Sequence, residues 1–110
     1  MRNLFEWAEE LKNSGKLVVV EGKKDRDALE NAGIDNVILY YDKPFYKLVE
    51  NICDNDGNGV VILTDLDKKG KQLYRKLKHS LQGVGVKVDS RFREFLFRKT
   101  KISYIESIAV

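Results

Sequence analysis

Leu17-Val18-Val19-Val20-Glu21-Gly22, at positions 17–22, and Val60-Val61-Ile62-Leu63-Thr64-Asp65-Leu66-Asp67, at positions 60–67, decide how this chain is read. Each is a short, continuous apolar run, mostly β-branched, that stops abruptly at acids. Such runs suit strands covered on both faces, as in parallel sheets. Outward from them, Asn36-Val37-Ile38-Leu39-Tyr40-Tyr41 reads as a further strand, and Val84, Val86 and Val88 alternate as a fourth.

Helical periodicity fills the intervals. Leu4, Trp7, Ala8 and Leu11 predict a helix over 3–13, with Asn3 and Glu6 spaced as a capping box and Gly15 after its end. Ala28 and Leu29 mark a short helix over 25–32. Asp25 favours its first turn, and Asp42 likewise that of the next helix. In that next helix Phe45, Leu48, Val49 and Ile52 form a stripe behind Pro44. Leu73, Leu77 and Leu81 predict a helix over about 70–82 with Gly83 able to cap it. Phe92, Phe95 and Leu96 predict another over 91–99, with Arg91, Arg93, Arg98 and Lys99 outward. Residues 102–110 fit a short helix or an edge strand equally. Cys53 and the five tyrosines are expected to serve packing, and His79 to lie on the surface.

Strands alternating with helices predict an α/β domain with a four-stranded, mostly parallel sheet. Right-handed crossovers then place the strand C-termini on one edge, where such folds keep their sites. Glu21 and the Asp65/Asp67 pair both fall on that edge. Neighbouring strands lie about 4.8 Å apart, which brings these carboxylates within reach of one ion and suggests the order 2-1-3-4. Two like charges about 4 Å apart repel by about 4 kcal/mol at an effective dielectric near 20. A cation offsets that repulsion, and an oxygen-only donor set favours Mg²⁺ or Mn²⁺ over zinc.

The chain has 110 residues, 43% apolar, with one proline and eight glycines, enough for one compact domain over 1–110. The net charge of +3 hides an asymmetry: residues 68–101 hold twelve Lys or Arg against Asp89 and Glu94, whereas residues 1–67 hold eight bases against fourteen acids. A basic surface of this kind collects phosphates. Nothing approaches the length of apolar sequence needed to span a bilayer. Glu6, Glu9 and Glu10 stand where a signal peptide is apolar, and a lone cysteine forms no internal disulfide, so a cytoplasmic protein is expected.

Val18-Val19-Val20-Glu21-Gly22-Lys23-Lys24-Asp25, followed 44 positions later by Ile62-Leu63-Thr64-Asp65-Leu66-Asp67-Lys68-Lys69-Gly70, resembles the Toprim signature: a Glu after one buried strand, then Asp-x-Asp and a nearby Gly after another. The resemblance covers about residues 16–90, leaving an N-terminal helix over 3–13 and a basic helix and tail over 91–110. It implies a three-layer α/β/α, Rossmann-like domain close in kind to small stand-alone archaeal proteins and the nucleases that mature 5S ribosomal RNA. It also implies Glu21 as general acid or base and Asp65 and Asp67 as Mg²⁺ ligands, with Gly22 and Gly70 allowing close backbone approach to a phosphate.

On the residues themselves, Lys23, Lys24, Lys68, Lys69 and Lys71 surround the same point, and the helix opening near Gly70 offers N–H groups to a phosphate. The expected function is therefore a Mg²⁺-dependent nuclease or related phosphotransfer enzyme acting on RNA or DNA. The alternative is a non-catalytic nucleic-acid-binding module that works with partner proteins. RNA or DNA, one ion or two, and monomer or homodimer all stay open at this point.

Overall fold

A computed structural model describes residues 1–41, 43–55 and 57–109. Asp42, Asp56 and Val110 lie outside the described residues, and with them the expectation that Asp42 supports a helix start. The elements run α1 (Leu4–Ser14), β1 (Leu17–Val20), α2 (Lys23–Asn31), β2 (Val37–Leu39), α3 (Phe45–Asn55), β3 (Val60–Ile62), α4 (Lys68–Gly83) and α5 (Arg91–Lys99), followed by a 3₁₀ turn, Ile105–Ser107. The fold is α/β, as expected.

β1 is the central strand. It pairs in parallel with β2 (Val18 opposite Val37, Val20 opposite Leu39) and with β3 (Leu17 opposite Val60, Val19 opposite Ile62), giving the order β2-β1-β3. All four of its residues are buried. Side chains alternate between two cores, as the two-residue period of a strand requires. Val18 and Val20 join Trp7, Leu11, Leu29, Phe92 and Leu96 on the face covered by α1, α2 and α5. Leu17 and Val19 join Leu48, Ile52, Leu77 and Leu81 on the face covered by α3 and α4. Continuous apolar runs were therefore the right signal: neither face of β1 meets water.

The expected fourth strand is corrected. Among the described residues of the expected strand only Val88 bridges the sheet, in parallel to Val60, through Val60 N–H to the Lys87 carbonyl (2.9 Å) and Asp89 N–H to the Val60 carbonyl (2.8 Å). Upstream the chain is still leaving α4. Val84 caps that helix and is exposed, and Gly85 turns with φ +86°, a left-handed conformation open to glycine. Gly85, not Gly83, therefore makes the exit, and too few extended residues remain to form a ladder.

At α1 the expected cap forms in half: the Glu6 carboxylate accepts from Arg2 N–H (3.3 Å) rather than from Asn3 N–H, so no reciprocal box closes. The Asn3 carboxamide oxygen accepts from Glu6 N–H at 2.9 Å, and Gly15 at φ +68° ends the helix. The Trp7 indole N–H donates to the Phe92 carbonyl at 2.9 Å and its ring meets Phe92 edge-on, which ties α1 to α5. Of the two elements expected in 102–110, the short helix forms in part, as the 3₁₀ turn Ile105–Ser107; the edge strand does not form among the described residues. Residues 102–109 run as a strap with this turn, burying Ile105 and Ile108 against the first core. Cys53 is exposed rather than packed, and among the described residues no helix is long and apolar enough to cross a membrane.

At the sheet edge opposite Glu21, Asp89 binds Lys16 Nζ (2.6 Å) and Arg91 Nη2 (2.9 Å) and receives the Arg91 N–H (3.0 Å). The Arg91 side-chain bond, then the others, hold its carboxyl far below the usual carboxylate range. A depressed folded-state pKa contributes stability above the unfolded value near 4 that is lost as pH falls through the folded one. Asp89→Asn is accordingly expected to lower the melting temperature at pH 7 and to narrow its gap to the native protein below about pH 4, as followed by circular dichroism. An equal gap at pH 3 and pH 7 would contradict this assignment.

Candidate functional site

Continuing the β1–β3 register past Val19 and Ile62 sets the residue after β1 beside Thr64 and Asp65. The bonds follow: Leu63 N–H donates to the Val19 carbonyl (2.8 Å), and Asp65 N–H donates to the Glu21 carboxylate at 2.7 Å. Glu21 thus reaches across from the end of β1 and closes the gap to the end of β3. The two acidic segments, 44 residues apart, meet at one rim.

Each acid also binds the protein. Asp65 Oδ1 accepts from Ile105 N–H at 2.8 Å, and Leu66 N–H donates to the Ser103 carbonyl at 2.8 Å, so the C-terminal strap orients this loop. Asp67 is the N-cap of α4, its Oδ1 accepting from Gly70 N–H at 2.7 Å. Asp25, in the first turn of α2 as expected, is buried and accepts from Gly22 N–H at 3.0 Å. Burial raises the pKa of Glu21 above the ordinary range. The Asp65 N–H opposes that rise, and the charges of Asp65, Asp67 and Asp25 add to it. Burial likewise raises Asp25, opposed by the Gly22 N–H and reinforced by Asp65 and Glu106. The site holds its negative charge under strain from both desolvation and crowding.

A crevice of about 380 Å³ opens here, lined by Glu21, Gly22, Lys23, Lys24, Asp25, Tyr41, Asp65, Lys69 and Glu106. Lys23, Lys24 and Lys69 therefore stand where the sequence placed them. Three other assignments are corrected. α4 opens at Lys68, two residues before Gly70, and the Gly70 N–H is taken by Asp67, so it is not offered to a phosphate. Gly70 is required by the chain itself: a Cβ there would lie 1.9 Å from the Asp65 carbonyl oxygen. Lys71 turns away to sit 5.1 Å over the Phe97 ring, and exposed Lys68 does not line the crevice.

Arg93 is the residue beside the crevice that helical spacing missed. Expected outward, it is buried, and its guanidinium donates to the Thr64 carbonyl, the Thr64 hydroxyl (3.0 Å) and the Asp65 carbonyl (3.0 Å). Thr64 in turn donates to the Gly70 carbonyl at 2.6 Å. The guanidinium also stacks 4.4 Å from the Tyr74 ring centroid. Burial lowers its pKa, while Tyr74, Glu21, Asp65 and Asp67 oppose the change. It is a cation set beneath the acidic rim. Glu106 was likewise not singled out, because only the strap's path brings it to the crevice.

Relatives of the chain share most of its length. A UPF0292 protein of Methanocaldococcus jannaschii is 31% identical over 110 residues, covering 96% of this chain and 86% of its own. The chain belongs to the UPF0292 family. A UPF0292 protein of Archaeoglobus fulgidus is 32% identical with the same coverage, and one of Thermococcus onnurineus is 38% identical, of whose length the chain spans 62%. A solved structure from Aquifex aeolicus, 37% identical, superposes with a TM-score of 0.90 over 98% of this chain and all of that one. No family model matches the chain. The family expected from the sequence is thereby corrected: the relatives carry the UPF0292 name, not Toprim, and that name states no activity.

Proposed function

We propose that the UPF0292 crevice takes a Mg²⁺ ion (or Mn²⁺) together with a phosphate of an RNA or DNA strand, and that the protein is a nuclease or related phosphotransfer enzyme. The observation that carries this reading is the Glu21–Asp65 junction. Two strand ends converge their acids at one rim, against desolvation and mutual repulsion, beside Lys23, Lys24 and Lys69.

The donor set fits such an ion. Among the described residues no three acids, histidines or cysteines converge closely enough to enclose a metal. Mg²⁺ characteristically keeps several waters and takes only one or two carboxylates plus substrate phosphate. Asp65 and Asp67 each commit Oδ1 to a backbone N–H, which fixes the orientation of Oδ2; one or two of the Glu21, Asp65 and Asp67 carboxylates would hold the ion, with water and phosphate completing its shell. The ion, when bound, supplies charge stabilisation at the phosphate oxygens. Glu21, with its raised pKa, is suited to hold or release a proton at the attacking or leaving oxygen. The three lysines draw the backbone in and orient it. The lone exposed Cys53 suits a cytoplasmic setting.

A second reading, a non-catalytic nucleic-acid-binding module that works with partner proteins, draws on a different fact: Asp65 and Asp67 have structural duties of their own, as strap anchor and helix cap.

A melting experiment tests the ion. Ligand that binds only the folded state stabilises it by RT ln(1 + [L]/Kd), so millimolar Mg²⁺ at about tenfold its Kd adds about 1.4 kcal/mol, a few degrees in melting temperature. Asp65→Asn with Asp67→Asn is expected to abolish that shift while folding normally. Asparagine can still accept from Ile105 N–H and still cap α4. A native melting curve that ignores Mg²⁺ and Mn²⁺ would remove the ion from the site.

A further inference from the structure

Among the described residues five large aromatics are exposed: Phe5, Tyr41, Tyr46, Phe97 and Tyr104. Packing was the expected role of the tyrosines among them, and solitary exposed rings are ordinary on protein surfaces. Tyr41 differs in position, because it alone of the five lines the crevice. Two backbone bonds fix it there. Tyr40 N–H donates to the Val20 carbonyl at 2.7 Å and Tyr41 N–H to the Glu21 carbonyl at 3.2 Å, tying the bend that follows β2 to the end of β1.

The two tyrosines take different surroundings. Tyr40 packs against the core beneath α3 and α4, close to Phe45, while Tyr41 emerges on the other side with 56% of its surface exposed. One margin of its ring rests on Gly22, whose missing Cβ would sit 3.6 Å from Cε1. A flat aromatic surface, braced by bare backbone and open to solvent, thus stands in one recess with the Lys23, Lys24 and Lys69 ammonium groups and the Glu21 carboxylate.

We infer that Tyr41 is a stacking platform for a nucleobase, and that the strand bound in this crevice is single-stranded or locally unpaired. The inference rests on the phosphate-binding reading of the crevice and adds the substrate class to it. The lysines recognise any phosphate and carry no preference for a base or for strandedness. A ring beside them does, since a base in an intact duplex is stacked on both faces and has none to offer. Stacking on an aromatic is tolerant of base identity, so Tyr41 selects unpaired strand rather than sequence. The Tyr41 hydroxyl has no part in this assignment.

The test measures fluorescence anisotropy of the full chain in Mg²⁺ with three labelled ligands: a short single-stranded oligonucleotide, the same backbone with abasic sites, and the matched duplex. The native protein is expected to bind the single strand about tenfold more tightly than the abasic strand, the size of one base–aromatic stack. Tyr41→Leu, which keeps apolar bulk over Gly22, is expected to lose that factor for the base-containing strand and to leave abasic affinity unchanged. Tyr41→Phe is expected to keep it. Equal affinity of native and Tyr41→Leu protein for the single strand would overturn the assignment, as would a loss shared equally by the abasic strand or a preference for duplex. Failure of the native protein to bind any of the three ligands would instead remove the phosphate site itself, and the platform with it.

Discussion

Arg93→Met is expected to destabilise the protein by about 3–5 kcal/mol, the cost of removing one partner from a buried charged network. Arg93 is 6% exposed, and its guanidinium serves three acceptors at the end of β3: the Thr64 carbonyl, the Thr64 hydroxyl and the Asp65 carbonyl. Methionine fills much of the volume and meets none of them. A buried acceptor left without a donor costs about 1–3 kcal/mol. Glu21, Asp65 and Asp67 also lose the cation that faces them from α5. For a domain of this size the loss corresponds to a fall of roughly 10–25 °C in melting temperature.

Arg93→Lys separates charge from geometry. An ammonium restores the positive charge but cannot span three acceptors as the planar fork does, so it is expected to recover only part of the loss. Full recovery by lysine would mean that charge alone matters at this position. A melting temperature within a few degrees of native for Arg93→Met would show that the β3 end is held by its other bonds, chiefly Thr64 to Gly70 and Glu21 to Asp65.

Arg93 also marks where the sequence stops being legible. On α5 the apolar stripe Phe92, Phe95 and Leu96 is plain, and an arginine among three other bases on the same nine residues reads as solvated. Its burial depends on the end of β3, 29 residues upstream, presenting carbonyls to it. Local periodicity carries no trace of that. Gly70 was misread for a related reason: a glycine near acids suggests approach by a ligand, whereas here the Asp65 peptide occupies the space. The strands were legible where burial was complete, in β1 and β3, and misjudged at Val84–Val88, where alternation in composition was offset by the turn at Gly85. The convergence of Glu21 with Asp65 was legible because it needs only two neighbouring parallel strands. The partners that orient Asp65 were not, since Ile105 belongs to a strap whose path no local signal sets. Family membership was the furthest from reach, because a short acidic signature constrains a strand edge and not a lineage.

Glu21→Gln is expected to lower cleavage of a single-stranded oligonucleotide in Mg²⁺ by about 10²–10⁴-fold, the usual worth of a positioned acid or base, without weakening the fold. Glutamine retains an oxygen to accept the Asp65 N–H that Glu21 receives at 2.7 Å, so the junction between β1 and β3 persists. It removes a carboxylate whose pKa is raised first by burial and further by Asp65, Asp67 and Asp25. A raised folded-state pKa means that stability is full below the ordinary carboxylate range and declines as pH rises through the raised value. Glutamine does not titrate. In metal-free buffer the variant is therefore expected to melt at or above the native temperature at pH 8, with the two curves converging toward pH 4. Cleavage that survives the substitution would take Glu21 out of the chemistry. A variant that melts well below the native protein at pH 8 would mean that this carboxylate supports the fold rather than waiting, at a cost in stability, for a ligand.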